Sequence, residues 1–252
     1  MENYLPLFYI ASAIFGAILG SFACCQAWRI HEKQKGRKFG SRSICMSCKH
    51  QLRWYDNIPV ISWVTLRGKC RYCKAKIGVS EILSELGLAA LFVAIAYVFG
   101  TVPEAFVLMA ALVLYWILLV YDAKWGELPV VLMFCAIPFA IAFQFFIKGN
   151  IFQILLGTGF LTGIYYLLYY FSKEKLVGGG DWILCISIAI FLGRIEFVIV
   201  ELFLSNFGAL LAGAPQLLKK EKKQIPFGPF LIIAMVAILL MRDFLLKFFI
   251  IY

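Results

Sequence analysis

Residues 103–129, PEAFVLMAALVLYWILLVYDAKWGELP, decide the fold class of this chain. The stretch opens with a long apolar run, and a helix needs about 20 predominantly apolar residues to cross the hydrocarbon core of a bilayer. The run ends at Asp122, which is followed closely by a lysine, a glycine and a proline. We therefore predict a membrane helix over residues 103–121 with a carboxylate at its end.

The composition of the whole chain extends this prediction. Of the 252 residues, 63% are hydrophobic and 15% are charged, whereas a soluble domain is near half apolar and a quarter charged. The sequence therefore predicts an all-α polytopic membrane protein with about eight transmembrane helices. The N-terminal apolar segment, roughly 5–28, has no basic region before it and no evident cleavage site, so we expect it to be retained as a membrane helix. The other seven segments cover roughly 5–28, 82–100, 128–147, 151–171, 181–193, 195–214 and 227–246.

The basic residues concentrate on one predicted side of the membrane. Thirteen of the 24 Lys and Arg lie between residues 29 and 76, a stretch with only two acids. With eight spans, three further connections fall on the same side and bring the total to 20: 122–127, 172–180 and 215–226. Because Lys and Arg are retained in cytoplasmic loops, this side is predicted to be cytoplasmic. The charge favours membrane lipid as a partner over nucleic acid, since no nucleic-acid motif accompanies it.

The basic loop contains two CxxC units, Cys45-x2-Cys48 and Cys70-x2-Cys73. This spacing is typical of a structural zinc site in which four thiolates complete a tetrahedral centre. A loop of about 50 residues has little core of its own, so a metal ion would stabilise its fold. Four reduced cysteines without a metal are the alternative. We predict three parts: a first transmembrane helix (1–28), a basic cytoplasmic zinc-binding domain (29–80) and a transmembrane helical catalytic domain of about seven helices (81–252).

Two carboxylates are expected at the same edge of the membrane. Asp122 ends the third segment, and Asp181 opens the sixth in the sequence GGGDWIL. Each could be a simple interfacial charge, and Asp181 could also stabilise the positive end of its helix dipole. However, ionisable groups at membrane depth are unfavourable and tend to mark function. Gly178, Gly179 and Gly180 lack side chains beside Asp181, which would let a substrate strand approach.

Two neighbouring carboxylates can share a proton, so that one activates water and the other protonates a leaving amine. Asp122 and Asp181 are therefore the predicted catalytic residues of an aspartic endopeptidase. No serine-hydrolase or zinc-protease motif competes with them. Glu81 and Glu85 could line the site or cap a helix, Glu127 is interpreted as an interfacial charge, and Glu196 and Glu201 are interpreted as structural.

Several motifs together carry a resemblance over nearly the whole chain. They are GSF at 20–22, the four-cysteine loop with WYDNIPVISW and LRGKCRYC, YDAKWGELP at 121–129, GGGD at 178–181 and IPFGPF at 225–230. The combination resembles the type IV prepilin peptidases, GxGD aspartyl proteases that act as leader peptidases and N-methyltransferases.

The resemblance implies a substrate, a location and a cofactor. The substrate would be the leader of a prepilin or pseudopilin in pilus assembly, secretion or competence, cleaved at the cytoplasmic edge of the bacterial inner membrane. The new N-terminus would then be methylated with S-adenosylmethionine. Two other classes remain open: an ion- or proton-coupled transporter using Asp122 and Asp181, and a non-catalytic assembly protein whose zinc loop docks a cytoplasmic partner.

Overall fold

The computed structural model describes residues 5–37, 40, 42–174, 177–218 and 225–251, and at residues 215–218, 250 and 251 the backbone alone. In these ranges the regular structure is helical, apart from two isolated antiparallel bridges. The predicted all-α class is therefore confirmed. The lysines at 175, 219, 220, 222 and 223 lie outside the described residues. The chain forms two compact units, Met1–Gly100 and Thr101–Tyr252, and the boundaries predicted at residues 28 and 80 stay a prediction.

The first unit is built on two long helices, α1 (Leu5–Gln34) and α3 (Val79–Phe99). A methyl group added at Gly16 would lie 2.6 Å from Ala89 Cα, and one at Gly20 would lie 2.5 Å from the carbonyl oxygen of Ser84. The Ser84 hydroxyl donates a hydrogen bond to the Gly20 carbonyl at 2.8 Å. Because lipid supplies no hydrophobic force between helices, such pairs depend on close packing of small residues. The glycine of the GSF motif thus serves helix packing.

The connection between α1 and α3 holds a short 3-10 helix (Trp54–Asn57) and the five-residue helix α2 (Ile61–Thr65). The two isolated bridges, Ile44 with Gln51 and Lys69 with Lys76, each enclose one CxxC unit. Each unit therefore forms its own small hairpin.

The second unit contains α4 (Pro103–Trp125), α5 (Val130–Phe146), α6 (Ile151–Ser172), α7 (Gly179–Leu192), α8 (Ile195–Leu218), α9 (Gly228–Leu240) and α10 (Arg242–Ile251). Buried polar contacts join three of these helices. Tyr115 of α4 donates its hydroxyl hydrogen to Ser187 of α7 at 2.8 Å. Gln144 of α5 donates to the carbonyls of Ile190 and Phe191, both at 2.7 Å. These bonds satisfy the last carbonyls of α7, which would otherwise be unpaired inside the protein.

All eight predicted segments are helical, but their lengths differ. Five helices are long and apolar enough to cross a membrane alone: α1, α3, α4, α6 and α8. Helices α9 and α10 form a sixth candidate that is bent by 72°. The remaining two, α5 and α7, have 17 and 14 residues. The described chain is therefore a multi-pass membrane protein with five or six clear spans, and the count of eight stays a prediction.

Candidate active site and metal centre

Asp122 lies in the last turn of α4 and is 4% exposed. The helix ends one turn later at Gly126, which has a φ of +70° and donates its N–H to the Asp122 carbonyl at 2.8 Å. Glycine favours this left-handed conformation, which ends the helix. The carboxylate oxygen Oδ2 of Asp122 accepts the backbone N–H of Gly228 at 2.9 Å.

Asp181 lies in the first turn of α7 and is 6% exposed. Its Oδ2 accepts the N–H of Gly178, the residue before the helix, at 2.9 Å. A carboxylate at this position satisfies a free backbone donor and faces the positive end of the helix dipole. Each aspartate therefore accepts a backbone N–H from a glycine, Asp181 from its own turn and Asp122 from a distant segment.

Asp122 and Asp181 are 59 residues apart in the sequence, but they line one cavity of about 360 Å³. Its other lining residues are Gly126, Glu127, Leu128, Gly178, Gly179 and Gly180. The cavity wall therefore consists of the end of α4, the start of α7 and the turn after α4. This arrangement offers two carboxyls to one bound group.

The three glycines before Asp181 have different surroundings. A methyl group at Gly180 would lie 2.8 Å from Leu128 Cβ, which is closer than real contacts allow. At Gly178 the nearest atom would be Oδ2 of Asp181 at 3.2 Å, and at Gly179 it would be Tyr169 at an ordinary 3.5 Å. Gly180 is thus required by the chain's own Leu128. Approach of a substrate strand along these glycines stays a prediction.

Two residues of the site were missed from the sequence. Glu127, interpreted as an interfacial charge, lines the cavity, and Gly228 bonds to Asp122 across 106 positions. The position of Glu127 directly after the αL glycine that ends α4 could have indicated its place. Gly228 lies in the IPFGPF motif, but nothing in one sequence pairs that motif with Asp122.

The other acids have separate environments. Glu85 of α3 accepts the N–H of Val60 through Oε2 at 2.7 Å, and Glu196 pairs with Arg194 at 3.2 Å. Glu201 is fully buried, and neither carboxyl oxygen has a hydrogen-bond partner among the described residues. None of the three lines the aspartate cavity.

The four predicted cysteine ligands come together. The Sγ atoms of Cys45, Cys48, Cys70 and Cys73 all lie within 4.8 Å of one another, and the Cys45 and Cys73 sulfurs are 3.8 Å apart. Four thiolates around Zn²⁺ at the usual Zn–S distance would have their sulfurs about 3.8 Å apart. The donor set and its spacing therefore fit a tetrahedral zinc ion.

The two hairpins share one backbone pattern. Cys45 accepts the Lys49 N–H and donates to the His50 carbonyl, both at 2.9 Å, and Cys70 repeats these bonds with Lys74 and Ala75 at 3.0 and 2.8 Å. The pKa values of two of the thiols are shifted in opposite directions. A hydrogen bond from the Ala75 N–H, with the neighbouring thiols, lowers the pKa of Cys73 to about 7. For Cys48 the His50 N–H lowers the pKa, but desolvation and the thiols of Cys45 and Cys73 outweigh it and raise that pKa to about 11.

Asp56 ties the second hairpin to the 3-10 helix. Its carboxylate accepts Arg71 Nε at 2.7 Å, the Tyr72 hydroxyl at 3.2 Å and the Arg53 N–H at 3.2 Å. Burial raises the pKa of Asp56, but these three hydrogen bonds outweigh it and hold the pKa below its usual value. The carboxylate is therefore ionised at neutral pH, where it fixes the segment between Cys70 and Cys73.

Fold and site together define a class: a multi-pass helical membrane protein with a paired-aspartate cavity and a four-cysteine centre. Residues 14–99 match the family described as Bacterial Peptidase A24 N-terminal domain. A prepilin leader peptidase/N-methyltransferase of Vibrio cholerae serotype O1 is 30% identical over 250 residues, 93% of this chain and 96% of the relative. Proteins of the same name from Pseudomonas aeruginosa and Dichelobacter nodosus are 33% and 32% identical, covering 76% and 80% of this chain and 69% and 72% of the relatives. No solved structure matches.

The chain therefore belongs to the prepilin leader peptidase/N-methyltransferase family. The resemblance predicted from the motifs is confirmed.

Proposed function

We propose that this chain is a membrane aspartyl endopeptidase that cleaves the leader of type IV prepilins or pseudopilins and N-methylates the new N-terminus. The peptidase activity is supported above all by the cavity that Asp122 and Asp181 line together. Family membership supports both activities, since the relatives are named for both. The proposed place of cleavage is the cytoplasmic edge of the bacterial inner membrane, with membrane lipid around the helices.

The proposed reaction uses the two carboxyl groups in complementary protonation states. The ionised carboxylate takes a proton from water while the water oxygen bonds to the scissile carbonyl carbon. The protonated carboxyl then gives its proton to the amide nitrogen as the C–N bond breaks. The pair ends with its single shared proton on the opposite group, and exchange with solvent restores the starting state. Gly178 and Gly228 would orient the carboxylates through their N–H groups.

The zinc ion is proposed as a structural cofactor held by Cys45, Cys48, Cys70 and Cys73. A closed four-thiolate site leaves no position for substrate, so its contribution is to stabilise the loop. S-adenosylmethionine is proposed as the methyl donor from the family resemblance. The cavity that Asp122 and Asp181 line supports the peptidase step alone.

The alternative of an ion- or proton-coupled transporter gains no support from the three relatives, none of which is named as a transporter. The cavity lies at the end of α4, where the helix-ending Gly126 and the exposed Glu127 line it. Transporter sites are expected near the bilayer midplane on broken helices, whereas Asp122 lies at the end of α4 and Asp181 at the start of α7.

The experiment that tests the peptidase is cleavage of a prepilin by Asp122→Asn and Asp181→Asn variants. The purified enzyme is reconstituted in liposomes, and the mature N-terminus is measured by mass spectrometry, which also reports methylation. Because each carboxyl transfers a proton, we expect each variant to lose at least about 10²-fold in kcat. Asparagine keeps the shape of the side chain but cannot transfer the proton.

The matched control is Glu104→Gln, which removes a carboxyl from the first turn of the same helix, at the end opposite to Asp122. It should cleave at the wild-type rate. Full processing by either aspartate variant would refute the proposed pair.

A further inference from the structure

The IPFGPF motif contributes a backbone donor to the aspartate cavity. Helix α9 begins at Gly228, and the first amides of a helix have no partner within it. The Gly228 N–H is buried and donates to Oδ2 of Asp122 at 2.9 Å. Among the described residues, this amide is the only hydrogen-bond donor to the Asp122 carboxylate, and it comes from a different helix.

We propose that Gly228 is a positioning residue for Asp122, an inference that rests on the proposed peptidase function. Its amide engages one carboxylate oxygen and leaves the other for the reacting water. Asp122 would thereby keep one orientation throughout the reaction. Catalytic groups must hold their geometry closely, since small displacements reduce rates strongly.

A glycine is needed at this position for space. A methyl group on residue 228 would lie 2.7 Å from Oδ2 of Asp122 and 3.4 Å from Leu128 Cδ2. The backbone of Gly228 is not left-handed, so an alanine could adopt its conformation. The substitution would therefore act through contact with the carboxylate itself.

Leu128 links this amide to the other half of the cavity. The side chain of Leu128 packs against Gly180 on one side and Gly228 on the other. Gly180 precedes Asp181, and Gly228 bonds to Asp122. One leucine between two glycines therefore sets the spacing between the start of α7 and the start of α9.

A second contact holds the turn before α9. The ring of Phe227 packs on the ring of Tyr165 with centroids 5.6 Å apart. The Tyr165 hydroxyl accepts the side-chain amide of Asn206 at 2.8 Å and lies 3.2 Å from the Ser205 hydroxyl. Helices α6 and α8 thus fix Phe227, and with it the direction of the Gly228 amide.

The pH dependence of cleavage reports the hydrogen bond from the Gly228 N–H to Asp122. A donated N–H favours the ionised carboxylate, so its loss should move the acidic limb of the kcat profile to higher pH. The titratable groups that line the cavity with Asp122 are Glu127 and Asp181. Helix α9 carries no titratable side chain, and α5 carries only the exposed Cys135. A reduced amount of folded enzyme would lower kcat but leave the shape of the profile unchanged.

The test is Gly228→Ala in liposomes, with kcat measured across pH on a synthetic prepilin and the Tm measured in detergent. We expect kcat to fall about 10- to 100-fold, as for one lost hydrogen bond to a charged group, and the acidic limb to rise by about one pH unit. Gly159→Ala and Gly163→Ala are the controls, because a methyl group at either meets nothing within 4 Å. Both should keep the wild-type profile.

A wild-type profile for folded Gly228→Ala would overturn the positioning role. If Gly228→Ala lowers the Tm so far that no folded enzyme is recovered, Leu128→Ala is measured in its place. That variant adds no atom and frees Gly228 to move, so the same shift is expected, and its absence would overturn the proposal. The peptidase function fails separately, if Asp122→Asn still cleaves.

Discussion

At the residue scale, the four thiols of the loop differ in exposure and acidity. Cys70 is buried, Cys45 is half-buried, and Cys48 and Cys73 are exposed. Without a cation among them, four nearby thiols cannot all ionise: the Ala75 N–H and the neighbouring thiols favour the thiolate of Cys73 and lower its pKa, whereas desolvation and the neighbouring thiols raise the pKa of Cys48. A divalent ion would remove this conflict by stabilising all four thiolates.

Zinc content tests this assignment. We expect purified protein to contain about one zinc per chain, measured by inductively coupled plasma mass spectrometry. The double variant Cys45→Ser/Cys70→Ser removes one ligand from each hairpin and should lose the ion. Cys135→Ser, at an exposed cysteine of α5, should retain it. Full zinc content in the double variant would exclude the four-cysteine site.

At the element scale, the turn that precedes α2 has a strained backbone. Val60 has φ +62° and ψ −51°, and the Ile61 N–H reaches the Pro59 carbonyl at 2.6 Å. These values describe a γ-turn, which is rare and strained. A branched residue in this conformation costs about 1–3 kcal/mol. The strain is offset by the hydrogen bond that the Val60 N–H donates to the buried Glu85 carboxylate at 2.7 Å.

Removing that carboxylate should loosen the turn. We expect Glu85→Ala to increase amide hydrogen exchange over residues 58–65 about tenfold or more, as for losing a hydrogen bond to a charged group. The control is Glu81→Ala, one helical turn earlier. Adding Val60→Gly to Glu85→Ala should reduce the effect, because glycine adopts positive φ without strain. Equal exchange in wild type and Glu85→Ala would show that Glu85 does not hold the turn.

At the scale of the whole molecule, the sequence was most informative where its signal is local. Each of the eight apolar segments predicted from the sequence is helical, because such a prediction needs only the length and hydropathy of the segment, although the last is divided into α9 and α10. The CxxC spacing predicted which sulfurs meet, since each hairpin brings its own pair. Gly228 and Glu127 could not be assigned in this way. Their roles depend on how α4, α7 and α9 pack. A contact between residues 106 positions apart, such as Gly228 and Asp122, leaves no periodic signal in one sequence.

The lengths of the helices bear on how water reaches the aspartates. At 1.5 Å per residue, the 14 residues of α7 extend about 21 Å, less than the roughly 30 Å of a hydrocarbon core. A short helix whose far end is held by Gln144 of α5 would begin below the membrane surface. Local thinning of the bilayer there would admit water to the cavity that the two aspartates line.

The eight-span arrangement makes a prediction about which side each connection faces. Residue 127 follows α4 and residue 148 follows α5, so they lie on opposite sides only if α5 crosses the membrane. In a parent protein that keeps the four zinc-site cysteines and has serine at the other four, Cys24, Cys25, Cys135 and Cys185, labelling by a membrane-impermeant maleimide is measured above that of the parent. We expect Glu127→Cys to react from the cytoplasmic side and Lys148→Cys from the other. The same comparison of Lys173→Cys with Arg194→Cys tests α7. Labelling of either pair from one side only would mean that the short helix between them enters and leaves by the same face, and the count would fall below eight.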